Sequence, residues 1–202
     1  MRINSICVFC GSSPGRRPEF REAAESLGRE IGQRNLTLVY GGVDVGLMGA
    51  VARTALDAGG SVIGVIPESL VDQEIPFGNQ AELRVVGNMH ERKATMAELS
   101  DAFIALPGGF GTLEEFFEVI TWLQLGIHSK PCGLMNVNNY YDKLLEFLDH
   151  AVEEFFIDKL HREMIVSAED PAVMIDRLAG FQPQTTSKAE WIRRVSGQPP
   201  SI

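Results

Sequence analysis

Short runs of β-forming apolar residues alternate with longer amphipathic segments along most of the sequence, and this alternation limits the fold more than any other feature. The runs have the composition of strands, whereas apolar residues in the longer segments recur at helical spacing. The predicted strands are 4–10, 36–40, 61–66, 83–86, 101–106, 132–137 and 164–167, and the predicted helices are 18–33, 47–58, 89–100, 140–154 and 171–179, with one more after Thr112. This order predicts an α/β protein with a mostly parallel sheet covered on both faces.

Length and charge narrow the class of protein further. The chain has 202 residues, of which 45% are hydrophobic and 22% charged, as in a globular domain. We expect one domain over residues 1–180 and a mobile tail over 181–202, where Pro, Ser, Thr and Gln become frequent. The net charge of -9 argues against nucleic-acid binding and favours a small ligand. No apolar run approaches the roughly 20 residues of a membrane span and the start lacks a secretory pattern, so we expect a cytoplasmic protein without a membrane partner.

Glycine-rich turns follow three of the predicted strands, with the sequences CGSSPG, GGVDVGLMG and PGGFGT. In a parallel sheet these turns share the carboxyl edge, where ligands bind at the point at which the strand order reverses. Glycines let backbone amides approach a ligand closely, which suits a phosphate group. The spacing matches neither the Walker loop nor the G-x-G-x-x-G fingerprint, so a phosphate is indicated without NAD, FAD or ATP hydrolysis. Ser13, Gly42 and Gly108 belong to these turns and are candidate substrate-binding residues.

Two adjacent cations, Arg92 and Lys93, supply a counterpart for an anion. They follow Met89 by three and four residues and flank the apolar stripe that Met89 forms with Met96 and Leu99. In one interpretation the stems pack on the core and the charged heads stay in water. In the other, at least one head binds a ligand phosphate, which an arginine can grip with two hydrogen bonds.

The stretch PGGFGTLEE, after strand 101–106, also has two interpretations. Thr112 and Glu115 have the spacing of a capping box, in which Glu115 bonds the backbone amide of Thr112 and only closes the helix start. Alternatively, a carboxylate beside phosphate-binding amides faces a substrate and takes part in catalysis. The residues alone favour neither interpretation.

The helix after Thr112 is apolar on nearly every side. Leu113 and Phe116 belong to its wide core face, whereas Trp122 and Leu125 lie among polar residues opposite. A second apolar surface needs a contact of its own. We predict a symmetric homodimer through this helix, with packing beneath a loop as the alternative.

Neither a metal site nor a redox site is expected. The sequence has no H-E-x-x-H motif, no paired cysteine motifs and no clustered carboxylates with ligand spacing. Cys7 and Cys10 form a C-x-x-C, but residues three apart on a strand point to opposite faces. These cysteines are therefore predicted to be small buried hydrophobic residues.

The segment MHERKATMAELSDAFIALPGGFGTLEEFFEVITWLQLGIHSKPCGLMN resembles the LONELY GUY family of cytokinin-activating phosphoribohydrolases, once widely labelled lysine decarboxylase-like. The resemblance runs from about residue 6 to residue 179 and includes CVFCGSSPG, LVYGGVDVGLMG and a P-G-G-x-G-T-x-x-E motif. It implies a Rossmann-like three-layer α/β sandwich that works as a homodimer, and no cofactor is expected. It also implies hydrolysis of the N-glycosidic bond of an adenosine 5'-monophosphate, usually N6-prenylated, to free base and ribose 5-phosphate.

The same resemblance implies roles for individual residues. Matching motif positions makes Arg92 and Glu115 the catalytic pair. The candidate substrate contacts, in addition to the three turn residues above, are Glu74, Met89, Lys93, Gly109, Phe110, Gly111, Thr112, Leu113, Glu114 and Thr121.

Three other functions stay open at this point. The chain could be a nucleotide-binding module without catalysis, because fold alone does not establish an enzyme. It could also be an AMP nucleosidase with no cytokinin role. The third is a lysine decarboxylase, which would need pyridoxal phosphate on Lys93, the only lysine of the proposed site.

Overall fold

The computed structural model describes residues 2–71, 81–183, 191–192 and 196–197. Strands β1 to β7 span Ser5–Phe9, Thr37–Tyr40, Ser61–Pro67, Glu82–Val86, Ala102–Ala105, Cys132–Met135 and Ile165–Ala168. Helices α1 to α8 span Pro18–Gln33, Gly46–Asp57, Glu68–Val71, Met89–Glu98, Phe110–Gln124, Asp142–Glu153, Lys159–Glu163 and Pro171–Ala179. A short 3-10 turn at Val137–Asn139 links β6 to α6.

The seven described strands form one parallel sheet in the order β4-β3-β2-β1-β5-β6-β7. From β1 the chain adds strands on one side as far as β4. It then returns to add β5 on the other side of β1, with Phe9 paired with Ala105. The order therefore reverses between β1 and β5, and the loops that leave these strands diverge at the carboxyl edge.

Two apolar cores lie on opposite faces of the sheet. Helices α1, α2 and α8 cover the face that carries Val8 and Cys10, whereas α4, α5 and α6 cover the face that carries Cys7 and Phe9. The two cysteines are free and buried, one in each core, as strand geometry predicts. The helix layers on both faces complete the three-layer sandwich.

The predicted α/β class and parallel sheet are confirmed, and α1 has its predicted bounds. The short helices α3 and α7 were not predicted, because four or five residues cannot display a helical period. No helix among the described residues has the length and apolar content needed to cross a bilayer. Much of the predicted tail lies outside the described residues, so the domain boundary at Gly180 stays a prediction.

Candidate active site

The candidate site lies at the switch point, where the turns after β1, β2 and β5 meet. The amide of Gly11 donates to the carbonyl of Pro107 (3.1 Å), and the amide of Leu47 donates to the carbonyl of Gly11 (3.1 Å). These bonds join the turn after β1 to the turn after β5 and to the start of α2. The prediction that the glycine turns share one edge is confirmed.

Two neighbouring clefts open at this edge, each of about 310 Å³. The first, here called the polar cleft, contains the predicted catalytic pair and the first turn of α5. It is lined by Cys10, Gly11, Ser12, Met48, Met89, Arg92, Gly109, Phe110, Gly111, Thr112, Glu114 and Glu115. This volume lies within the range of pockets that bind small molecules.

The second cleft, here called the aromatic cleft, has Phe20 and Tyr140 in its walls. It is lined by Gly11, Ser12, Ser13, Pro14, Gly15, Phe20, Leu47, Pro107, Gly108, Gly109 and Tyr140. Both clefts share the turn after β1 and Gly109, so these residues form the ridge between them. Ser13 and Gly108 thus lie on the aromatic side of this ridge.

Arg92 extends from α4 across the ends of β2 and β3. Its Nε donates to the carbonyl of Val65 (3.1 Å) and its Nη2 to the carbonyl of Gly41 (3.4 Å), while Nη1 lies 3.7 Å from the sulfur of Met89. A side chain on Gly41 would collide with Nη2 of Arg92, so glycine at this position leaves room for the guanidinium. Within the described part of the chain, Arg92 has no carboxylate at ion-pair distance. Neutral partners leave its charge available to an anionic ligand.

Lys93 extends from the same helix toward α5 instead. Its Nζ donates to Oε1 of Glu114 (2.6 Å) and to Oε1 of Glu118 (3.1 Å), and its side chain is only 12% exposed. The hydrogen bond to Glu114 raises the pKa of Lys93, which keeps the amine protonated. The head group therefore neither stays in water nor lines the polar cleft. Its contact with a substrate stays a prediction.

Glu115 lies in the second turn of α5 and lines the polar cleft with Arg92. Burial raises the pKa of Glu115 from its usual 4.5 to about 7, and Arg92 opposes this rise. Glu114 adds to the rise, whereas Lys93 opposes it. A carboxyl group with a pKa near neutrality is suited to take up and release a proton at physiological pH.

The capping-box interpretation of Thr112 and Glu115 is wrong. Helix α5 begins at Phe110 with Gly109 as its N-cap, and no described side chain caps it. Thr112 lies inside the helix and is only 3% exposed. It packs beneath Gly108, where an added Cβ would lie 2.7 Å from the Cβ of Thr112. Glu115 is therefore too far along the helix to bond the cap amide.

The remaining predicted site residues are dispersed. Leu113 is half-buried and packs against the core beneath α5, and Thr121 donates its hydroxyl to a carbonyl of its own helix (2.6 Å). Gly42 has a φ of 82° in a tightly packed turn, which favours glycine for conformational reasons. These three line neither of the two clefts. Glu74 lies outside the described residues.

Sequence reasoning missed Gly41, Met48 and Tyr140. Gly41 and Met48 belong to the GGVDVGLMG turn, so that motif already contained a signal for them. Tyr140 follows β6 and has no such signal, because only its hydrogen bond to the carbonyl of Gly108 (2.7 Å) brings it to the site.

The fold and its two clefts define a Rossmann-like protein with a switch-point site suited to a phosphate-bearing ligand of nucleotide size. The chain matches the family model described as "Possible lysine decarboxylase" over residues 48–178. It is 50% identical over 205 residues to the cytokinin riboside 5'-monophosphate phosphoribohydrolase LOG7 of Arabidopsis thaliana, covering 99% of this chain and 94% of that protein. The phosphoribohydrolase LOG3 of the same plant is 53% identical over 182 residues, covering 90% and 85%. The chain belongs to the LONELY GUY family of phosphoribohydrolases, as its motifs indicate.

Solved structures with the same fold include proteins with other functions. The molybdenum cofactor binding protein of Rippkaea orientalis superposes with a TM-score of 0.66 at 25% identity, covering 89% of this chain and 98% of that one. The molybdenum cofactor carrier protein of Chlamydomonas reinhardtii superposes with a TM-score of 0.66 at 21% identity, covering 89% and 100%. The latter likeness shows the fold alone, so function must be inferred from the site.

Proposed function

We propose that this chain hydrolyses the N-glycosidic bond of an adenosine 5'-monophosphate to give free base and ribose 5-phosphate. The preferred substrate is the nucleotide whose base is N6-prenylated. The observation that carries this proposal is the meeting of Arg92 and Glu115 in one cleft beside the first turn of α5. Relatives that are 50% and 53% identical bear the name of this activity, which supports the same chemistry here.

Glu115 is the proposed general base. Cleavage of the bond to the base builds positive charge on the sugar, as in glycoside hydrolysis. An ionised Glu115 stabilises that charge and accepts a proton from the attacking water. Arg92 favours the ionised form of Glu115, because its positive charge lowers the pKa that burial raises. Glu115 is therefore desolvated by burial and, because of Arg92, still partly ionised at neutral pH.

The start of α5 is the proposed binding site for the 5'-phosphate. The first amides of a helix have no intrahelical acceptor and carry the positive end of its dipole. A Cβ added to Gly109 or Gly111 would meet nothing within 4 Å, so these glycines leave space for a ligand against the backbone. Binding energy from the phosphate would then position the sugar at Glu115. The other proposed contacts remain those predicted from the glycine turns and from the family: Ser13, Gly42, Glu74, Met89, Lys93, Gly108, Phe110, Thr112, Leu113, Glu114 and Thr121.

A pyridoxal phosphate-dependent decarboxylase does not suit this site. A Schiff-base lysine must lose its proton to react, and desolvation or a neighbouring cation normally lowers its pKa. Lys93 is held between Glu114 and Glu118, and its pKa is raised. The surroundings of Lys93 therefore stabilise the unreactive form of the amine.

The homodimer and the cytoplasmic location are part of the proposal. Trp122 is half-buried because it packs partly against the core, so it is less exposed than the sequence predicts. Leu125 is 51% exposed and Ile127 is 67% exposed directly after α5, so an apolar surface remains at this end of the helix. Contact with a second copy of the chain would cover it.

The test is chromatography of the purified protein after incubation with isopentenyladenosine 5'-monophosphate, its unphosphorylated riboside and AMP. Free base from the monophosphates, but not from the riboside, is the expected result. Equal release from AMP and the prenylated nucleotide would identify an AMP nucleosidase instead. Binding of both monophosphates without release of base from either would identify a nucleotide-binding module and overturn the proposal.

A further inference from the structure

The turn between β6 and α6 contacts the glycine loop of the site through two adjacent tyrosines. The hydroxyl of Tyr141 donates to the carbonyl of Leu106 (2.7 Å), and the hydroxyl of Tyr140 donates to the carbonyl of Gly108 (2.7 Å). Between these two, the carbonyl of Pro107 accepts the amide of Gly11 (3.1 Å). Three successive carbonyls before α5 are therefore each bonded by a group from outside the loop.

The backbone before the tyrosines adopts an uncommon conformation that directs them to this loop. Asn138 and Asn139 are both left-handed, with φ of 52° and 59°. Asparagine tolerates this region better than most residues, yet two in succession are rare and cost conformational energy. Such backbone persists where the surrounding structure requires it, which is common near functional sites.

Asn136 fixes the other side of the same turn. Its Oδ1 accepts the amide of Tyr141 (2.7 Å) and its Nδ2 donates to Oδ1 of Asp142 (2.7 Å). Its own amide donates to the carbonyl of Ala168 on β7 (2.9 Å). The turn is thus tied to the sheet on one side and to α6 on the other, which makes it a rigid support for Tyr140 and Tyr141.

We propose that Tyr140 and Tyr141 act as a tyrosine clamp, a pair of positioning residues that hold the loop 106–109 and so place the first amides of α5 for the substrate phosphate. The inference rests on the proposed function. The clamp acts through backbone carbonyls and has no part in proton transfer. Burial raises the pKa of Tyr141, so its hydroxyl stays a donor across the working pH range.

Of the two tyrosines, Tyr140 is the better position for a test, because its substitution by phenylalanine changes only one contact. It is 43% exposed, so Tyr140→Phe keeps the ring contacts with Phe20 (5.5 Å) and Tyr141 (4.9 Å) while it removes only the bond to Gly108. Tyr141 is 1% exposed, and Tyr141→Phe leaves the carbonyl of Leu106 without this buried donor. We therefore expect a lower melting temperature only for Tyr141→Phe.

The first measurement does not depend on catalysis. The amide of Gly11 is bonded to the loop at Pro107, and the amide of Leu113 is bonded to it at Gly109 (3.1 Å). Hydrogen exchange of these two amides, followed by NMR, should be about three- to tenfold faster in Tyr140→Phe, the change that corresponds to one lost hydrogen bond. Phe147→Leu is the control, because Phe147 is an exposed aromatic residue of α6 outside both clefts.

The second measurement is the steady-state kinetics of isopentenyladenosine 5'-monophosphate hydrolysis. Tyr140→Phe should raise KM about three- to tenfold, with kcat within about twofold and an unchanged pH profile, because uniform binding of the phosphate is what weakens.

Hydrogen exchange in Tyr140→Phe at the wild-type rate would overturn the clamp. If hydrogen exchange is faster in Tyr140→Phe but the wild-type protein releases no base, the clamp is retained and the proposed function is rejected. A raised KM with unchanged exchange would make Tyr140 a direct ligand contact, which also contradicts the clamp.

Discussion

At the scale of single residues, the chemistry proposed for the polar cleft depends on the protonation of Glu115. Burial raises the pKa of this carboxyl group, and the neighbouring Arg92 limits the rise. Lys93 does not neutralise Glu115 directly, because its amine is bonded to Glu114 and Glu118. Burial and four charged side chains on α4 and α5 therefore set the protonation of one carboxylate.

Glu115→Gln should change the pH dependence of stability. The folded protein binds the Glu115 proton more tightly than the unfolded chain, since burial raises the pKa from 4.5 to about 7. Wild type therefore loses stability relative to the neutral variant as pH rises through this interval and then levels off. Urea unfolding between about pH 5 and pH 8 measures the difference. Glu146→Gln, which removes an exposed carboxylate from α6, is the control, and a pH-independent difference for Glu115→Gln would contradict the assigned burial.

Lys93→Met should act on the pH profile of kcat. Loss of the cation leaves Glu114 and Glu118 unbalanced, and both of these carboxylates raise the pKa of Glu115. The acidic limb of the profile should move to higher pH, with a loss of about three- to tenfold at pH 6 and a smaller loss at pH 9. Lys93→Arg keeps the charge and should shift the limb less. An equal increase of KM at every pH would instead make Lys93 a direct ligand of the phosphate.

At the scale of secondary-structure elements, the glycines before and within α5 have different roles. A side chain at Gly108 would overlap Thr112 and approach the amide of Gly11 to 2.9 Å. Side chains at Gly109 and Gly111 would meet nothing within 4 Å. Of these three glycines, packing within the protein therefore restricts only Gly108, and the open space at Gly109 and Gly111 agrees with their proposed contact with a ligand.

Alanine at each of these positions should separate the two roles. Gly108→Ala should lower the free energy of unfolding by about 1–3 kcal/mol through overpacking. Gly111→Ala should leave stability equal or higher by up to about 1 kcal/mol, because alanine is the better helix former, while KM rises about tenfold or more. Chemical denaturation and steady-state kinetics on the same samples measure both quantities. Unchanged KM values in both Gly109→Ala and Gly111→Ala would place the phosphate elsewhere.

Elements were more predictable than their ends. The alternation of apolar runs and amphipathic segments predicts seven strands and the bounds of α1. This succeeds because the spacing of apolar residues within an element shows which of its faces is buried. The start of α5 was placed wrongly, since T-x-x-E matches a capping box. Burial of Thr112 beneath Gly108 decides the outcome, and this contact depends on tertiary packing. The same limit hid the partners of Lys93, which come from a different helix.

At the scale of the whole molecule, the parallel order of the strands brings separate sequence motifs to one edge. The switch between β1 and β5 explains why glycine turns about 100 residues apart bond each other, and this part of the site followed from topology rules. The position of Tyr140 could not be predicted in this way, because its side chain extends from the turn after β6 to the carbonyl of Gly108.

The apolar surface at the end of α5 predicts association of two chains. Leu125→Glu would place a charge on the exposed apolar surface, so a dimer in this arrangement should dissociate. Sedimentation equilibrium should give the mass of two chains for wild type and of one chain for the variant. Glu146→Lys, an exposed change of charge on α6, tests whether charge alone alters the mass. A monomeric wild type would contradict the predicted dimer.

The proposed role of Glu115 is tested most directly by the rate of base release from isopentenyladenosine 5'-monophosphate by Glu115→Gln and Glu114→Gln. Both residues line the polar cleft and are adjacent on α5, but only Glu115 is proposed to carry the proton. We expect a loss of about 10²- to 10⁴-fold in kcat for Glu115→Gln and a loss below about tenfold for Glu114→Gln, with both proteins folded. A folded Glu115→Gln that releases base at a rate close to wild type would show that Glu115 is not the general base.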